Sequence, residues 1–164
     1  MKNKNTLNIE NEEEIKTIWT SVKNEGYSNS NLIVKLTDTK GLGVFAKKEI
    51  KKGQIIEFCH SIVLDWKRKY IHDRGIIKYA YWDGCQCNEC KKHGNTGMIL
   101  LGNGSVYNSA QSNDVKNAKY NVYPSLSLAI FIAEKDIKKN EEILTWWGQG
   151  YYDSWCKSKN ENIK

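Results

Sequence analysis

Residues 101–120, LGNGSVYNSAQSNDVKNAKY, decide how the rest of this chain is read. Gly102 and Gly104 open the stretch, Tyr107 follows, and Asn108 and Ser109 lead into a polar run rich in Asn and Ser. Short polar side chains compete for the hydrogen bonds of the main chain, so such a run cannot hold a long helix or a buried strand. Strongly β-prone sequence flanks it, residues 98–101 before and 120–133 after. A small polar turn wedged between core strands places backbone amides and an Asn side chain where a ligand can reach them.

Working outward, KYNVYPSLSLAIFIA gives two strands, the second apolar enough to be buried. The closing segment EEILTWWGQGYYDSWCK crowds tryptophans and tyrosines around Gly148 and Gly150, too densely for an ordinary terminus. On the other side, NLIVKL is a strand, TDTK a polar turn, and GLGVFA carries the pair Gly41 and Gly43, which permits a tight turn and a close approach. No third glycine and no helix follow, so this is not a dinucleotide-binding fingerprint. The next segment, KKEIKKGQIIEFCHSIVL, reads as a strand, a Lys-Gly turn and another strand. Residues 46–57, AKKEIKKGQIIE, are echoed by residues 133–144, AEKDIKKNEEIL, which suggests paired strand–turn–strand units in a β-rich fold. Residues 65–84 are mixed, with room for a short helix and a cluster of Tyr79, Tyr81 and Trp82.

Cys85, Cys87, Cys90 and His93 follow in GCQCNECKKHG. Thiolates and imidazole at short spacing are the donor set of tetrahedral zinc, with Cys59, His60 or Cys156 as further candidates. Structural zinc sites join two separate ligand pairs, whereas these four share one turn. Reduced thiols on an exposed loop are the competing reading.

At 164 residues the chain is long enough to bury a core. It has no apolar run of membrane-spanning length and no apolar stretch at its N-terminus like that of a secretion signal, so an intracellular protein is expected. Five cysteines fit a reducing compartment. The net charge of +6 is carried almost wholly by lysine, which favours anionic neighbours such as nucleic acid, or simply solubility. From Asn11, EEEIKTIWTSVK places Ile15, Ile18, Trp19 and Val22 on one helical face, with acids in the first turn. That helix docks on the outside of the domain or serves as a partner-binding arm.

Together these segments resemble the SET-domain family of protein-lysine methyltransferases, from about Asn31 to Tyr152. GLGVFA with its acid-Ile-x-x-Gly turn is similar to the family's first glycine motif. Tyr79 sits where the family keeps an aromatic. LGNGSVYNSA is similar to Gly-x-Gly-x-x-x-Asn-His-Ser, NAKY to the Pro-Asn-Ala end of that motif, and EEILTWWGQGYY to the Glu-Glu-hydrophobic-x-x-Tyr-Gly segment that ends the domain. In size the chain is like the minimal SET proteins of viruses and bacteria.

The resemblance implies a mainly β fold with short helices, the SET-domain β-clip, whose C-terminal segment is threaded beneath a loop as a pseudoknot. It divides the chain into an arm with an amphipathic helix (1–30), a SET domain (31–155, with an insert at about 60–97) and a tail (156–164). It implies methyl transfer from S-adenosylmethionine to a lysine of a protein, a histone or another, and leaves a homodimer open. By the same resemblance Lys40, Gly41, Leu42, Gly43, Tyr79, Asn108 and Ser109 would hold the cofactor, with Tyr152 against the adenine. Tyr107, Trp147 and Tyr151 would line the lysine channel. Two positions depart from the pattern: Ser109 stands for the family's His, and Trp147 for its Tyr. Indole offers only an N–H donor, so a catalytically impaired module that acts by binding is the alternative. Asn113 or Asn117 could answer the family's second Asn, and the match continues better from Asn117.

Overall fold

The computed structural model describes residues 11–25, 30–64, 79–82, 97–150 and 152–153. Packing divides the chain into two units. The first comprises Met1–Asn29, Ile55–Ser105 and Tyr120–Phe131; the second comprises Ser30–Gln54, Val106–Lys119 and Ile132–Lys164.

The first unit begins with helix α1, Glu12–Glu25. Asn11 caps it: its side-chain oxygen accepts from the backbone N–H groups of Glu13 and Glu14, at 3.2 and 3.3 Å. Three glutamates in the first turn face the positive end of the helix dipole. The predicted apolar face is the one that packs. Ile15 and Trp19 are buried, Ile18 and Val22 half-buried, and the Trp19 ring stacks 6.2 Å from Phe58. Among the described residues no helix is long and apolar enough to cross a membrane.

Helix α1 shares its unit with most of a five-stranded sheet built from β3 (Ile55–Leu64), β4 (Ala80–Trp82), β5 (Gly97–Leu100), β7 (Ala118–Tyr123) and β8 (Leu128–Ala133), in the order β4-β5-β3-β8-β7. Antiparallel register sets Ser61 against Leu100 and Tyr81 against Met98. Every residue of β8, LAIFIA, is buried. At about 1.5–3 kcal/mol for each large apolar side chain taken from water, this strand anchors the core. Tyr81 packs edge-on against Tyr120, with ring centroids 4.8 Å apart, and its hydroxyl donates to the Gly104 carbonyl at 2.9 Å. The short helix open to residues 65–84 does not reach 80–82, which extend as β4.

The second unit contains the hairpin of β1 (Leu32–Thr37) and β2 (Gly41–Ala46), and the two-residue strands β6 (Asn108–Ser109) and β9 (Leu144–Thr145). Here the echoed segments meet each other. Ile50 and Ile137 exchange both backbone hydrogen bonds, at 2.9 and 2.8 Å. Several further contacts have a twin 87 residues on, the offset of Ala133 from Ala46. The Asn140 N–H donates to the Ala46 carbonyl at 2.7 Å, as the Gly53 N–H donates to the Ala133 carbonyl at 2.8 Å. The Lys51 N–H reaches the Gln54 side chain at 2.7 Å, as the Lys138 N–H reaches Glu141 at 2.8 Å. Gly53 and Asn140, the turn residues of the two copies, both take positive φ, 84° and 66°, which suits Gly and Asn. The copies are thus related by a local two-fold pseudosymmetry. Within residues 47–50 only Ile50 makes a bridge, and it is an isolated one, so the strand expected before the Lys-Gly turn is not formed. Its Lys-Lys-Glu sequence has no apolar alternation to bury.

Candidate functional site

The strand β6 grows out of the stretch at 101–120 and pairs in parallel with β9, Asn108 opposite Leu144 and Ser109 opposite Thr145. The Ala110 N–H extends the pairing to the Thr145 carbonyl at 2.6 Å. Asn117 closes the same segment from the far end of the loop. Its amide donates to the Glu142 carbonyl at 2.8 Å and to the Glu141 carboxylate at 3.1 Å, and its side-chain oxygen accepts the Leu144 N–H at 2.8 Å. Both ends of the loop therefore grip residues 141–145. This brings position 108 to the neighbourhood of position 147, as the fold resemblance required.

Asn108 joins three segments. Its amide donates one hydrogen to the Leu42 carbonyl at 3.0 Å and the other to the Glu142 carboxylate at 2.8 Å. Gly43 makes room for that arrangement: a Cβ there would stand 2.5 Å from the Glu142 oxygen and 2.9 Å from the Asn108 amide nitrogen. Only a residue without a side chain lets the carboxylate and the carboxamide meet over this strand. Lys40 adds a fourth tie, its ammonium donating to the Ser109 carbonyl at 3.0 Å. The Ser109 hydroxyl donates to the Ala110 carbonyl at 3.1 Å and accepts the Trp147 N–H at 3.4 Å. Where the family pattern has an imidazole, this chain uses a hydroxyl to hold the backbone of Trp147.

These ties frame a cleft lined by Thr39, Lys40, Asn108, Ser109, Gln111, Trp147 and Tyr152. It holds about 580 Å³ of empty space, counted out to where it opens to solvent. Its lining combines hydroxyls, carboxamides and a cation with two aromatic residues. The Tyr152 ring lies 5.9 Å from that of Trp146, and the Tyr152 N–H donates to the Gly148 carbonyl at 3.1 Å. Such a donor set fits an amphipathic ligand with a planar base, hydroxyls, an acid and a positive centre, which is the chemistry of S-adenosylmethionine.

Of the residues singled out in the sequence, Lys40, Asn108, Ser109, Trp147 and Tyr152 come together at the cleft. Gly41, Leu42 and Gly43 form the adjoining strand. Tyr107 is fully buried and Tyr79 is 57% exposed in the other unit. Tyr151, Cys85, Cys87, Cys90 and His93 lie outside the described residues. Among the described residues no group of three His, Cys, Asp or Glu side chains is placed to hold a metal. Cys59 is buried, and burial with the nearby Glu57 carboxylate pushes its thiol up. Sequence reasoning missed Thr39, Gln111 and the part played by Glu142. Glu142 had one signal, its place in the Glu-Glu pair ahead of the terminal aromatic segment.

A family model described as SET domain matches residues 41–148. None of the curated proteins matches the chain. Among solved structures, a Plasmodium falciparum protein described as a histone methyltransferase is similar at 28% identity and TM-score 0.56, over 73% of this chain and 94% of that one. ATXR5 in complex with mono-methylated histone H3.1 is similar at 17% identity and TM-score 0.59, over 87% of this chain and 67% of that one. The ATXR5 SET domain with di-methylated histone H3 gives 18% identity and TM-score 0.58, over 87% and 68%. At those identities the two ATXR5 likenesses speak to the fold alone.

Proposed function

The chain belongs to the SET-domain family, and from that premise we propose that it transfers a methyl group from S-adenosylmethionine to a lysine side chain of a protein, a histone or another. The observation that carries this reading is the cleft lined together by Trp147, Tyr152, Asn108, Ser109 and Lys40. The cofactor, when bound, supplies an electrophilic methyl on a positively charged sulfur. Lys40 would meet its carboxylate, the peptide at Asn108 and Ser109 its polar edge, and Tyr152 the adenine. The ring faces of Trp147 and Tyr152 favour a positive centre by cation–π attraction, about 0.5–2 kcal/mol according to how dry the site is. The same rings exclude water, which favours the neutral form of the incoming lysine, the form that can attack. What remains for the protein is alignment. The SET body is taken as residues 31–155, with Tyr107 and Tyr151 kept as candidates for the lysine side of the site.

A second reading, a binding module of low activity, is favoured by Trp147, which has no hydroxyl to orient the amine. Labelled-methyl transfer to histone H3 by the natural chain and by Trp147→Tyr separates the two. Transfer by the natural chain, rising several-fold or reaching a higher methylation state in Trp147→Tyr, supports the transferase. Cofactor binding with no transfer by either supports the binding module.

A further inference from the structure

The paired turns of the second unit carry a concentration of charge that the methyl-transfer site does not use. Segments 46–54 and 133–141 together hold seven lysines and four acids. Lys47, Lys48, Lys51, Lys52, Lys135, Lys138 and Lys139 are all exposed. The acids are largely committed within the protein. Glu49 and Asp136 both pair with Lys51, at 2.6 and 3.2 Å, and Glu134 pairs with Lys116 at 2.8 Å. Glu141 accepts the Lys138 backbone N–H and an Asn117 amide hydrogen. The Lys135 ammonium donates to the Asp114 carbonyl. Lys47, Lys48, Lys52, Lys138 and Lys139 form no ion pair among the described residues.

Their placement follows from the pseudosymmetry. The bridge of Ile50 to Ile137 puts Lys48 opposite Lys139 and Lys52 opposite Lys135 by count along the two segments. Like charges set opposite one another weaken strand pairing, so folding gains nothing from this arrangement. A linear polyanion does. We propose that this face of the second unit docks double-stranded DNA. A duplex backbone has local two-fold axes of its own, and a protein surface with two-fold-related cations can match them. The turns also lack what two other anionic partners need. No exposed large hydrophobic lies in either segment, so there is no wedge for a lipid surface and no platform for unstacked bases.

The test is fluorescence anisotropy of a labelled 24-base-pair duplex with the full chain, between about 50 and 200 mM NaCl. One variant combines Lys48→Gln, Lys52→Gln and Lys139→Gln; a matched control combines Lys16→Gln, Lys23→Gln and Lys35→Gln. Each phosphate contact contributes about 0.9 to the slope of log K against log salt. The turn variant should therefore flatten the slope by about 2–3 and weaken binding at least ~10-fold at the lowest salt. The control should leave both nearly unchanged. The proposal is overturned by no duplex binding, by equal losses in both variants, or by equal or tighter binding to a single strand of the same sequence. Binding to phosphatidylserine vesicles that the duplex fails to compete overturns it as well.

Discussion

Strands β8 and β6 show two ways in which this chain holds itself together. In β8 six consecutive residues are buried, and the force is burial of apolar surface without direction. In β6 both residues are half-buried, and position is set by hydrogen bonds to Leu42, Glu142, Ala110, Lys40 and Trp147. Apolar packing degrades by degrees as atoms are removed. A polar junction fails as a unit, because each partner left behind keeps the cost of its own desolvation.

Substitutions in the two regions sharpen that contrast. Ile130→Ala, in the fully buried middle of β8, should cost about 2–5 kcal/mol of stability by urea denaturation. Cofactor affinity of the protein still folded should stay within about two-fold, because the junction is elsewhere. Gly43→Ala should cost less, about 1–3 kcal/mol, yet abolish measurable cofactor binding, since the new methyl group occupies the space where Glu142 and Asn108 meet. Equal affinity losses in both variants would erase the distinction. The smallest effect is expected at Thr145, whose buried hydroxyl has no hydrogen-bond partner among the described residues. Thr145→Val should be neutral or stabilising by up to about 1 kcal/mol in thermal unfolding. A clear loss there would mean that the hydroxyl is held by a partner.

The same contrast explains what could be read from the sequence. LAIFIA announces a buried strand by composition alone, and Asn11 with three glutamates after it announces the start of a helix. The echo of residues 46–57 in 133–144 predicted paired units. That the copies would pair with each other was beyond it, because the pattern is the same whichever partner each finds. Strand formation was over-read at residues 47–50, where one apolar residue supports one bridge. Asn108, Ser109 and Trp147, which line the cleft, lie in stretches that resemble a motif. Thr39 and Gln111 were not, because they belong to no motif and reach the cleft only through folding. The meeting of Asn108 with Leu42 joins residues 66 positions apart, and nothing local in either segment points to the other.

The central claim is that the polar junction at Asn108 builds the cofactor site. Titration calorimetry of S-adenosylmethionine into the natural chain and into Asn108→Ala tests it, with circular dichroism confirming that both are folded. Saturable binding by the natural chain, weakened at least ~10-fold by the substitution, a loss worth about 1.4 kcal/mol or more, is the predicted result. Equal affinity in the two folded proteins would contradict it.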